Sequence, residues 1–86
     1  MEEEKVIKVL LLSTNEYVIS GISEVYAELG EPNCKLANPY KIENGSLSKW
    51  NVEYTDQNEM MIHSDKILTL VDPNEKYLTM YLELIQ

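Results

Sequence analysis

Eighty-six residues make one small domain, not two. Fifteen Asp and Glu stand against seven basic residues, all lysine, for a formal net charge of -8. That balance argues against a generic basic nucleic-acid binder, and with no arginine there is no bidentate clamp on phosphate or carboxylate.

Hydrophobic residues are 44% of the chain, ordinary for a globular domain and too many for a disordered one. A chain this short hides only about 60–65% of the surface its unfolded form exposes, so a partner subunit would help it. The single cysteine, Cys34, allows no internal disulfide and no multi-cysteine zinc site. It suits a reducing compartment. The start, Met-Glu-Glu-Glu, has the wrong sign for a signal peptide. The longest apolar run, Val9 to Leu12, is far short of the ~20 residues that span a bilayer. The expectation is a cytoplasmic protein with no membrane partner.

Residues 5–12 read as a mostly buried strand, with Ile7, Val9 and Leu11 on one face and Val6, Lys8, Leu10 and Leu12 on the other. Ser13 to Glu16 is a turn, with Asn15 best suited to positive φ. Residues 17–25 form a second strand, in which Gly21 predicts a sharp bend or bulge. Residues 27–33 are a loop by their Gly30 and Pro32. Residues 34–42 form a third strand, where Pro39 limits pairing at that point to one edge.

Glu43 to Ser46 is a turn. Residues 47–56 read as an irregular connection with one strand end inside it. Residues 59–63 are a short strand, His63 to Lys66 a tight turn, and residues 67–71 the last strand. The period then changes. Asp72 as N-cap, Pro73 at the first helical position and Glu75 three residues after the cap predict a helix over 73–86. Its apolar stripe is Tyr77, Leu78, Tyr81, Leu84 and Ile85, which must dock on the sheet. The fold expected is all-β: a small, five-stranded, strongly bent antiparallel barrel with a C-terminal α-helix. It occupies one domain, with an acidic tail at 1–4, the barrel at 5–71 and the helix at 73–86.

This order resembles the Sm-like (LSm) small β-barrel family. The resemblance lies in the first hairpin with Asn15 at its turn, the bent second strand, Asn33 just before the third strand, and the tight turn joining the last two strands. "Asn-Pro-Tyr" at 38–40, "Leu-Ser-Lys-Trp" at 47–50, the proline after the last strand and the C-terminal helix are similar to the small Sm-like proteins of marine phages. The resemblance implies a homo-oligomeric ring, closed by pairing edge strands 59–63 and 67–71 of neighbouring subunits. It also implies binding of single-stranded nucleic acid, RNA above all, in a chaperone or processing role. Where that family has a basic residue before glycine at the tight turn, this chain has His63-Ser64. The N-terminal helix of RNA-binding Sm rings is absent from the pattern.

The candidate nucleic-acid site is Asn33, Lys35, His63, Ser64 and Lys66, on two loops that would meet at a ring mouth. There the lysines would attract phosphate, His63 would stack on a base and Asn33 would bond a base edge. The plainer reading of residues 63–66 is a polar turn with Asp65 bonding local backbone. Trp50, Tyr40 and Tyr54 read as core or subunit interface rather than a stacking platform. Cys34 reads as a small core hydrophobe. One cysteine and one histidine twenty-nine positions apart make no nucleophile–base pair. No cofactor, metal site or catalytic group is expected. The rival reading is an acidic protein-interaction scaffold ring that does not bind nucleic acid, and the placement of the lysines separates the two.

Overall fold

The computed structural model describes residues 6–85; the expected acidic tail, Lys5 and Gln86 lie outside them. The elements are strands β1 (Val6–Leu12), β2 (Tyr17–Glu24), β3 (Cys34–Glu43), β4 (Ser46–Lys49), β5 (Glu59–Ile62) and β6 (Ile67–Val71), then helix α1 (Glu75–Ile85). A single 3-10 turn, Ser64–Lys66, joins β5 to β6. The protein is thus all-β with one C-terminal helix. Neighbouring strands run β4-β3-β2-β1-β6, and β5 pairs with β3 beyond β4; every pairing is antiparallel.

There are six strands rather than five, because Ser46–Lys49 is a full strand inside the stretch read as irregular. The cause is the Asn44-Gly45 turn. Both residues take positive φ, +53° and +79°, and such a two-residue turn folds the chain straight back on β3. The first hairpin turns similarly through Asn15 at φ +69°.

The expected bend near Gly21 is present, but the extra residue lies across the ladder. Ile19 faces Tyr40 and Gly21 faces Ala37, so Ser20 of β2 opposes both Asn38 and Pro39 of β3. Asn38 takes φ +54°, which asparagine tolerates better than most residues. This bulge also flips the sidedness of β3. Cys34 and Leu36 point to one face of the sheet, Tyr40 and Ile42 to the other, although all four are even-numbered. Here β3 changes partners as well, pairing with β5 before the bulge and with β4 after it. Between them residues 50–58 leave the sheet. The Asn38 N–H donates to the Asn58 carbonyl at 2.6 Å and the Trp50 N–H to the Pro39 carbonyl at 3.1 Å, pinning both ends.

Each face of the bent sheet has its own core. Inside the curve lie Leu10, Leu12, Val18, Ile22, Cys34 and Leu36, with Trp50, Ile62 and Ile67 packed on them. Outside it, Ile7, Val9, Ile19, Tyr40, Ile42 and Leu47 meet Tyr77, Tyr81 and Ile85 of α1. The two faces of β1 are those its alternation predicts. Leu84 is turned to solvent, so the docking stripe is narrower than the sequence spacing suggests. Tyr40 and Tyr81 meet edge to face, centroids 5.9 Å apart.

The helix start differs from expectation. Asn74, not Asp72, is the cap: its Oδ1 accepts the Tyr77 N–H at 3.0 Å, and its carbonyl accepts the Leu78 N–H at 2.9 Å. Asp72 instead pairs with Lys8 of β1. The sheet curls without closing on itself. Among the described residues, β5 pairs only with β3 and β6 only with β1.

Candidate functional site

The β2–β3 loop leaves the sheet at Val25, whose N–H donates to the Asn33 carbonyl at 3.1 Å. The loop is a closed unit. Within it a tight turn runs from Glu28 to Glu31, closed by the Glu31 N–H on the Glu28 carbonyl at 3.0 Å, with Gly30 at φ +90°. The Glu31 carboxylate also accepts the Glu28 N–H at 3.0 Å.

Two of the five candidate residues come together as a pair. Asn33 Oδ1 accepts the Ser64 N–H at 2.9 Å, and Asn33 Nδ2 donates to Ser64 Oγ at 3.2 Å. The pairing follows from register: Cys34 faces Ile62, so the residue before β3 lies beside the residues after β5. His63 stands just before the 3-10 turn, half-buried, and lines a cleft between the two loops.

Neither lysine lines the cleft beside this pair. Lys35 lies on β3 facing Ser23 of β2 and Met61 of β5. Lys66 ends the same 3-10 turn that Ser64 begins: its N–H donates to the His63 carbonyl at 3.1 Å, and its own carbonyl accepts the Ser13 N–H at 2.8 Å. The cleft of about 420 Å³ between the two loops is lined by Asn33, His63 and Ser64 together with Glu28, Glu31 and Asp65, and by neither lysine. The other described lysines lie elsewhere: Lys8 on Asp72, Lys41 near Glu16 and Glu43, Lys49 on Asn58, Lys76 over the Tyr77 ring. The electrostatic character of the cleft is acidic.

Sequence patterning missed two features of this loop. Tyr26 and Leu29 are 96% and 105% exposed. The signal for them was present: large apolar residues just ahead of Gly30 and Pro32, with no periodicity to bury them. The aromatic set at 40, 50 and 54 is split. Tyr40 lies under the helix, Trp50 packs on the opposite core, and Tyr54 is exposed.

Cys34 is buried in the inner core. Burial pushes its thiol pKa up, and the nearby Glu24 carboxylate adds to the rise, which keeps the sulfur protonated and unreactive. Among the described residues no three His, Cys, Asp or Glu side chains gather as a metal site, and no helix is long and apolar enough to cross a membrane. A second groove of about 500 Å³ is lined by Val6, Ile22, Cys34, Ile67 and Leu70 together with Ser23, Glu24, Asn33 and Ser64.

A six-stranded, strongly bent antiparallel sheet under one helix, with two loops hydrogen-bonded to each other at one end, defines a small all-β domain. The chain belongs to the family of unknown function DUF6561, whose pattern matches residues 5–86. No curated protein matches it.

Proposed function

We propose that the protein is a non-enzymatic subunit of a homo-oligomeric ring of the Sm-like type its strand order resembles, acting in the cytoplasm as an acidic protein-interaction scaffold. Three strands, β4, β5 and β6, have one ladder each among the described residues, and the observation that carries this reading is the apolar character of two of these open edges. β5 and β6 each lack a second ladder among the described residues, and they carry exposed Met61, Leu68, Leu70 and Val71. An apolar, unpaired edge is a template for a neighbouring chain, and β5 of one subunit against β6 of the next would cover both. The carboxylates of the loop cleft favour a protein partner over a phosphate backbone.

The second reading, single-stranded nucleic acid at the ring mouth, is favoured by one observation: the Asn33–Ser64 pair fixes the two loops that this reading requires. Sedimentation at micromolar concentration, with a titration of U-rich and A-rich single strands at low salt, tests both. A ring that ignores the oligonucleotides supports the scaffold. Binding that a Lys35→Glu, Lys66→Glu double variant abolishes, with the ring intact, supports the nucleic-acid reading. A ~10 kDa monomer defeats both.

A further inference from the structure

We propose that the β2–β3 loop docks a basic protein segment that carries apolar side chains, with Leu29 and Tyr26 as the anchors. The inference names the partner of the scaffold reading and rests on it. Leu29 stands at the second position of the Glu28–Glu31 turn, and both it and Tyr26 give almost their whole side chains to water. A single exposed leucine needs no explanation; a bare leucine in the turn and a bare tyrosine three positions earlier, next to the base of the same short loop, offer two apolar anchors.

The tip is held before any partner arrives. The Val25–Asn33 bond closes its base, the Glu28–Glu31 bonds set its turn, and the Asn33–Ser64 pair ties it to the turn before β6. A fixed loop loses little freedom on binding, which is what a docking element requires. Charge selects the occupant. Leu29 borders a cleft whose ionic lining is Glu28, Glu31 and Asp65, and Glu24 stands at the end of the strand that feeds the loop. Apolar anchors rimmed by carboxylates complement a segment that alternates lysine or arginine with leucine-like residues. The same rim repels phosphate, so nucleic acid is the disfavoured occupant.

The test uses the full chain and three fluorescent probes: a twelve-residue Lys–Leu peptide, a Lys–Ser peptide of equal charge, and a U-rich single-stranded oligonucleotide. Anisotropy is read alongside sedimentation. The Lys–Leu peptide should bind at least tenfold more tightly than the Lys–Ser peptide. A Tyr26→Ser, Leu29→Ser variant should lose that preference with its sedimentation unchanged. A Glu28→Gln, Asp65→Asn variant should weaken both peptides and flatten their salt dependence. Equal binding of the two peptides, or an unaffected Tyr26→Ser, Leu29→Ser variant, overturns the docking loop and leaves the ring standing. Loss of assembly in that variant also overturns it, by making the tip a subunit contact. Displacement of the peptide by the oligonucleotide overturns it in favour of nucleic acid. A monomer that still binds the Lys–Leu peptide through Leu29 removes the ring and keeps the docking loop.

Discussion

At the scale of single residues, Tyr81 joins the helix to the sheet by more than packing. The residue is 1% exposed, and its hydroxyl both accepts the Gly21 N–H at 3.1 Å and donates to the Ala37 carbonyl at 3.0 Å. Gly21 and Ala37 face each other beside the β3 bulge, so the phenol bridges backbone groups where the ladder is disturbed. Gly21 presents no side chain on that face, which lets the hydroxyl come so close. Ser20 Oγ also reaches the Ala37 carbonyl, at 3.1 Å, so Tyr81→Phe chiefly orphans the Gly21 N–H. That variant should lose about 1–3 kcal/mol in urea unfolding. Burial raises the Tyr81 pKa above its usual value of 10.0, the nearby Tyr40 adds a little, and the Gly21 bond opposes the rise. The folded state therefore keeps a proton that the unfolded state releases. The stabilisation is complete below about pH 10 and is lost as pH climbs through the folded-state value. Wild type should thus weaken above about pH 10 more steeply than Tyr81→Phe, measured by urea midpoints across that range. The Cys34 thiol, also raised, acts in the same direction in both proteins and cancels in the difference. The helix cap gives a second test. Asn74→Ala should cost on the order of 1 kcal/mol. Asp72→Ala should cost less, because its carboxylate is an exposed partner of Lys8, 64 positions away. Equal losses would put the cap back at Asp72. The sequence offers two cap-competent residues two positions apart, and proline's preference for the first helical position selects the wrong one. What decides is the distant Lys8, which local pattern cannot reveal.

At the scale of elements, alternation and turn chemistry carried most of the fold. β1, β6 and the Asn15 turn were legible because an apolar period of two and one positive-φ residue are local properties. The missed strand β4 is short and only half-buried at Leu47, so its alternation is faint; the Asn44-Gly45 turn was its better signal. The β3 bulge was legible in place, through Gly21, but not in strand, since a register shift belongs to a pair of strands. A similar shift on β6 leaves Leu68 as the extra residue, 60% exposed between Ile67 and Thr69. On β5, Met61 is 47% exposed on the face opposite the inward Met60 and Ile62. Both side chains sit in water within one subunit, so charge there leaves the core alone. A Met61→Lys, Leu68→Lys variant should keep its thermal midpoint in dilute solution while sedimenting as a monomer, since two lysines on adjoining edges repel and must be desolvated. A variant that assembles as wild type places the subunit contact elsewhere on the surface.

At the scale of the molecule, charge and edge burial work against each other. Each chain brings a formal -8, and the proposed assembly would crowd those charges. The carboxylates of the loop cleft would lie on every subunit, so a mouth built from these loops repeats its acids with each copy. The candidate site was half legible for this reason. The meeting of Asn33 with Ser64 follows from strand order, whereas the carboxylates that line their cleft, Glu28, Glu31 and Asp65, sit in turns that no apolar period marks. Opposite salt dependences then follow for the two kinds of contact. In the proposed ring, edge pairing would bury Leu68, Leu70 and Met61, all exposed in the single chain, and would be opposed by repulsion between like-charged subunits; salt screens that repulsion, with a Debye length of about 10 Å at 0.1 M. Docking of a cationic probe at the loop tip is helped by attraction, which the same salt weakens. Raising NaCl from about 20 to about 300 mM should therefore lower the subunit concentration at which rings half-dissociate, and in the same samples weaken Lys–Leu peptide binding severalfold. Sedimentation velocity across a dilution series reads the first effect, anisotropy the second. If salt dissociates the ring, charge pairs rather than apolar edges hold it, and the β5–β6 contact is the wrong one. If salt leaves peptide affinity unchanged, the carboxylates of the cleft contribute nothing, and the apolar tip alone selects its partner.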